Sequence, residues 1–193
     1  MDIISVSVTL FLIMDPFGNL PIFLPILERV PEKRRRAVLV RELMLALVVI
    51  AVFIFAGRYL LGFLGIKEES VSIAGGIILF LIAVRMIFPA EKRTEAEFAG
   101  EPLLVPIAIP LTAGPSLLAV LLLFSTGYPD RLFDLLVAAL IAWGATFIIL
   151  FSSTFIARFL RRRGLVALER LMGMVLVALA VQLFLDGVTA YLG

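Results

Sequence analysis

Seven residues, Asp15-Pro-Phe-Gly-Asn-Leu-Pro21, interrupt an otherwise apolar run from Ile3 to Leu27, and they constrain the fold more than any other stretch of the chain. A helix rising about 1.5 Å per residue from Ile3 reaches Asp15 after roughly 18 Å, near the middle of a ~30 Å hydrocarbon layer. A carboxylate is costly at that depth, and the two prolines and the glycine release backbone groups from the helical hydrogen-bond ladder. Such groups persist inside a bilayer only where they are buried in protein or line a cavity. The interruption therefore predicts a discontinuous span whose break forms a binding site.

Composition agrees with a membrane setting. Of 193 residues, 62% are hydrophobic and 17% charged, with a mean hydropathy of +1.14; soluble domains carry about half and about a quarter. The net charge is only +2, and the basic residues flank apolar runs, which points to topology and not to a nucleic-acid partner. The chain has no Cys and no His, which excludes disulfides, thiolate and imidazole metal sites, and Cys or His catalysis. No cofactor or metal is expected. Asn19 and Gln182 are its only carboxamides, a depletion also seen in thermophiles, and both fall within apolar segments. Met1-Asp2-Ile3 lacks the basic start of a secretory signal, so the first segment is expected to stay as a span.

Six apolar segments can be marked: Ile3 to Leu27, about Ala37 to Leu64, Val71 to Phe88, Leu103 to Phe124, Leu132 to Phe159, and Ala167 to Leu192. Each is long enough to cross with some tilt. The fourth, like the first, is interrupted, by Pro106 and by Pro110-Leu-Thr-Ala-Gly-Pro115. Thirteen Lys and Arg residues lie in the connections after segments one, three and five, including Arg34 to Arg36 and Arg161 to Arg163, against three on the other side, Arg58, Lys67 and Arg131. This bias predicts that those connections are cytoplasmic and that both termini lie outside.

The two halves resemble each other. A shift of 96 residues lays Gly18 on Gly114 within the two interruptions, and a shift of 97 lays Leu81-Ile82-Ala83-Val84-Arg85 on Ala178-Leu179-Ala180-Val181-Gln182. Three spans per half is an odd number, so the halves would enter the bilayer from opposite sides. The expected fold is an all-α integral membrane protein, one domain over 1–193. Its six transmembrane helices form two inverted three-span repeats, 1–95 and 96–193, with spans 1 and 4 broken at mid-membrane.

Broken spans present helix termini, whose N–H groups attract anions and whose carbonyls attract cations. N–H groups at Gly18, Asn19 and Leu20 and at Gly114 to Ser116 can thus hold a carboxylate, and Asp15 or backbone carbonyls an ammonium group. Hydroxyls of Thr112 and Ser116 and the Asn19 amide would complete the site. Each residue also has a plainer reading. Asp15 can cap a half-helix beginning at Pro16, Asn19 can be a satisfied turn residue, and Thr112 and Ser116 can bond carbonyls one turn back. Gly75, Gly76 and Gly173 fit close helix approach better than substrate contact. Arg85 can snorkel to the interface or pair with Asp15, and Gln182 can bond across helices or face the cavity.

Asp15-Pro-Phe-Gly-Asn-Leu-Pro-Ile-Phe-Leu, followed half a chain later by Ile109-Pro-Leu-Thr-Ala-Gly-Pro-Ser, resembles the paired signature of the MarC family of six-span inner-membrane proteins. Ala74-Gly-Gly-Ile-Ile-Leu-Phe-Leu-Ile-Ala83 resembles that family's third span, and the similarity covers essentially the whole chain. The resemblance implies a transporter of small neutral amino acids such as glycine and alanine, with Asp15, Gly18, Asn19, Thr112, Gly114 and Ser116 contacting substrate. The chain has no Gly-x-x-x-x-Gly-Lys loop, so transport would be secondary, with H+ or Na+ as coupling ion and Asp15 as a proton carrier. A channel or scaffold subunit is a different class of reading. An intramembrane hydrolase using Asp15 and Asp186 is a third, weakened by the different depths of the two carboxylates.

Overall fold

Asp2 opens the first helix. In the computed structural model, which describes residues 2–28, 30–88 and 113–193, its carboxylate accepts from the Ser5 amide at 3.0 Å and the Ser5 hydroxyl at 2.6 Å. That satisfies donors a helix start otherwise leaves bare. Helix α1 (Ile3–Met14) ends at Asp15, which turns left-handed, and α2 (Leu20–Glu28) resumes after the turn. Helix α3 (Glu32–Leu64) follows Pro31 and stops at Gly65, whose φ of 64° suits a residue without a side chain. There the Ile66 amide bonds Leu61 O and the Gly65 amide bonds Gly62 O, closing the helix end with paired backbone bonds. The remaining helices are α4 (Glu68–Ile87), α5 (Pro115–Gly127), α6 (Leu132–Phe151) and α7 (Ser153–Leu192), with a 3-10 turn at Pro129–Arg131 before α6.

Among the described residues all regular structure is helical, and four stretches are long and apolar enough to cross a membrane: Glu32–Leu64, Glu68–Ile87, Pro129–Phe151 and Arg163–Leu192. Helices α1 and α5 are shorter apolar helices. Leu103 to Thr112, the first part of the expected fourth span, lie outside the described residues. Two expected boundaries move. The fifth segment ends at Phe151 and not at Phe159. After the single residue Ser152 the chain begins a 40-residue helix that carries the arginine cluster directly into the last apolar segment. Arginine is a good helix former, so a run that reports which side of a membrane it faces need not be a loop.

Helices α4 and α7 run antiparallel and make the most extensive helix contact. Lipid competes for apolar surface as well as a neighbouring helix does, so such contacts depend on close backbone approach. Small residues provide it here. A β-carbon on Gly76 would lie 2.8 Å from Phe184 N and 2.9 Å from Ala180 O, and one on Gly173 would lie 3.0 Å from Ala83 O and 2.9 Å from Ile87 Cγ1. The expected reading of these glycines as close-approach positions holds. The Ser72 hydroxyl donates to Leu183 O at 2.8 Å across the same seam, and Trp143 Nε1 donates to Leu43 O at 2.8 Å between α6 and α3. The main buried cluster joins Leu10 and Met14 of α1 to Ile50 of α3, Ala113 and Leu117 at the start of α5, and Ala138 and Ala142 of α6. Large apolar side chains such as Ile4, Phe63 and Ile148 face outward, as a lipid-embedded bundle requires.

Candidate functional site

The break between α1 and α2 is built by its own sequence. Asp15 adopts φ 42° and ψ 60°, the one left-handed non-glycine among the described residues. Asp tolerates that region better than most side chains, at a cost of about 1–2 kcal/mol. Pro16 lacks the N–H needed to continue α1. The carboxylate then folds back over the turn, where its Oδ1 accepts from the Gly18 amide at 3.0 Å. Asn19 Nδ2 donates to Met14 O at 3.0 Å, closing the last carbonyl of α1. The plainer readings of Asp15 as a cap and Asn19 as a turn residue are thus both realised, although α2 begins at Leu20 and not at Pro16.

One expectation needs correction. The N–H groups of Gly18, Asn19 and Leu20 are not open to a ligand carboxylate, because they bond Asp15 Oδ1, Asp15 O and Phe17 O. A turn buried this deeply must satisfy its own donors. What stays open is an acceptor: Asp15 is 3% exposed, and its Oδ2 has no hydrogen-bond partner. A β-carbon at Gly18 would collide with that carboxylate and with the Met86 methyl, so α4 presses directly on the turn. From α6, the Thr146 hydroxyl donates to Met14 Sδ at 3.5 Å.

At the second interruption, Thr112 lies outside the described residues. Gly114 precedes α5 without a side-chain cap, Pro115 takes the first helical position, and Ser116 is buried with an Oγ that has no partner. An uncapped helix start with a buried hydroxyl is suited to an anionic group. Met14 and Ala113 belong to the same buried cluster, so the described parts of both interruptions share one core.

Two other expected site residues lie elsewhere. Arg85 is exposed in the last turn of α4 and does not pair with Asp15. Gln182 is exposed and donates to Asp186 of its own helix at 2.7 Å, so it neither bonds across helices nor lines an interior space. Asp186 is exposed while Asp15 is enclosed, and the structure does not bring the two together.

Two buried carboxylates were missed by sequence reasoning. Glu169 of α7 is 5% exposed. Glu42 of α3, 2% exposed, pairs with the adjacent Arg41 at 2.9 Å. Each stands beside an arginine and so looks like part of a solvated charge pair. The signal was spacing: Glu169 shares a helix face with the buried Gly173, Leu176 and Ala180, and Glu42 with Leu39 and Ala46. Among the described residues no three carboxylates gather as a metal site would require.

Membrane-length apolar helices packed around a broken, carboxylate-bearing one define an integral membrane protein with a buried acidic group at the break. The description of MarC family integral membrane proteins matches residues 1–192, and the chain belongs to that family. It is 53% identical over 193 residues to the UPF0056 inner membrane protein YhgN of Escherichia coli strain K12, covering 99% of this chain and 98% of that one. A UPF0056 membrane protein of Buchnera aphidicola from Acyrthosiphon pisum is 52% identical over 191 residues, covering 98% and 97%. The archaeal UPF0056 membrane protein MJ1677 of Methanocaldococcus jannaschii is 33% identical over 189 residues, covering 93% and 92%. No solved structure matches the chain.

Proposed function

We propose that this protein is a secondary transporter of small neutral amino acids, glycine- or alanine-like, in the cell membrane. The observation that carries the reading is the Asp15 carboxylate, enclosed in a helix break with one oxygen unpartnered. Leaving a buried charged acceptor bare is expensive, and a substrate ammonium group would satisfy it. The substrate carboxylate would go to the uncapped start of α5, at Gly114 and the Ser116 hydroxyl, and Thr112, outside the described residues, belongs to the same reading from its sequence motif alone. Gly18, Asn19 and Leu20 then shape the turn without donating to the ligand. Met86 rests on Gly18 and packs against the turn, which would favour the shortest side chains.

Alternating access would come from two inverted halves, 1–95 and 96–193, rocking about the interruptions of spans 1 and 4. The α4–α7 seam supports this plan. Gly76 meets Ala180 and Phe184, while Gly173 meets Ala83 and Ile87, and each residue of the first set is displaced by 97 positions from its counterpart in the second. Such reciprocity is the signature of a two-fold relation. Coupling to H+ or Na+ at Asp15, cytoplasmic basic connections and both termini outside belong to the same reading.

The test is counterflow of labelled glycine in proteoliposomes. Saturable exchange in the parent protein and a loss of about tenfold or more in Asp15→Asn is the expected result, the worth of one buried charge-assisted hydrogen bond. Failure of every small amino acid to exchange overturns the transporter reading. Normal exchange and an unchanged pH profile in Asp15→Asn reduce Asp15 to a cap.

A further inference from the structure

A second polar site lies where α3 and α7 begin. Leu27, Glu32, Arg35, Arg36, Leu39, Phe151 and the stretch Ser152 to Phe155 enclose a cavity of about 360 Å³. Its floor is Ser153, 1% exposed, whose Oγ has no hydrogen-bond partner. Ser152 makes no side-chain cap at the start of α7, where the Phe155 amide bonds Ser152 O at 3.0 Å. Two guanidinium groups line the same space. Arg35 Nε is held by Val30 O at 2.9 Å, and Arg36 is stacked over the Phe151 ring at 5.7 Å from its centroid. Among the described lining residues, the exposed Glu32 stands against these two arginines.

We propose that this cavity binds the phosphate group of an anionic phospholipid. A buried hydroxyl donor, an uncapped helix start and two arginines are the chemistry that recognises a phosphate oxygen cluster. The lipid is favoured over free phosphate by what surrounds the polar floor. Leu27, Leu39 and Phe151 form an apolar wall, Phe155 beside them is 75% exposed, and the cavity lies at the head of a membrane-length apolar helix. An acyl chain can follow that wall while its headgroup fills the polar end. This assignment does not depend on the transport reading, because it uses none of the residues at the α1–α2 break.

The experiment is native mass spectrometry of the full chain in detergent, equilibrated with phosphatidylglycerol, with phosphatidylcholine, or with inorganic phosphate alone. Retention of one phosphatidylglycerol at least about tenfold above phosphatidylcholine is expected. Arg36→Gln should lower that retention about fivefold, the worth of one interfacial charge, and Ser153→Ala about threefold or more, the worth of one hydrogen bond. Arg34→Gln, exposed and outside the cavity, should not. Equal retention of the two lipids overturns the proposal, as does an Arg34→Gln loss matching that of Arg36→Gln, which would mean diffuse attraction. Binding of inorganic phosphate with no preference between the lipids overturns the lipid as occupant.

Discussion

Gly76 of α4 and Gly173 of α7, 97 residues apart, occupy mirrored places in one seam: Gly76 lies under the α7 backbone at Ala180, and Gly173 under the α4 backbone at Ala83. The carbonyls above them stand 2.9 and 3.0 Å from where a β-carbon would be, and backbone cannot yield as a flexible side chain can. Gly76→Leu and Gly173→Leu should therefore each destabilise the folded protein by about 1–3 kcal/mol or more, and by similar amounts. Thermal unfolding in detergent measures this. Gly62→Ala, where an added methyl meets open space, should behave almost as the parent; an equal loss there would mean that the seam is not special.

Gly18→Ala should be destabilising by a comparable amount, because its methyl would strike both the Asp15 carboxylate and the end of Met86. Shortening Met86 removes one of the two collisions. The double variant Gly18→Ala/Met86→Ala should recover only part of the loss beyond the cost of Met86→Ala alone, and a double-variant cycle reads that coupling. Strict additivity would separate the two residues.

The start of α1 should respond to acid. The Ser5 hydroxyl and then the Ser5 amide hold the Asp2 carboxyl below its ordinary value of 3.8. A depressed carboxylate stabilises the folded state fully above its unfolded pKa, and that stabilisation is lost as pH falls through the folded one. Amide exchange at Ile4 and Ser5 should accelerate below about pH 3.8, beyond the intrinsic pH dependence, and the acceleration should vanish in Asp2→Ala. Exchange that tracks only intrinsic chemistry in both proteins would show that the cap contributes nothing.

Because the chain has no cysteine, single thiols can be placed on it directly. Arg34→Cys, near the start of α3, and Lys67→Cys, just after its end, should react with an impermeant label from opposite sides of an oriented membrane. Labelling from one side would remove the inverted arrangement.

The interruption at Asp15 was legible because five of its seven residues are poor helix formers set in an apolar run, a local signal that no tertiary contact needs to supply. The glycines of the α4–α7 seam were legible for a similar reason, since small residues in membrane helices have few other uses. Which donors the turn uses up was not legible. That depends on Asp15 turning left-handed and folding its carboxylate onto Gly18, and composition does not fix a single dihedral angle. Glu169 was hidden by its neighbour, Arg170. The two point in different directions around the helix, one inward and one exposed, and only the helical phase separates them. The joint at Ser152 was missed because an arginine cluster after an apolar run looks like a loop, whereas α7 runs straight through it.

Met86 touches two things at once. Its terminal methyl rests on Gly18, at the α1–α2 turn, and its β-carbon faces Gly173, in the α4–α7 seam. Densely packed interiors shift between discrete arrangements and do not stretch. The side chain therefore works as a linchpin: a change that loosens its hold on the α1–α2 turn should be felt in the α4–α7 seam.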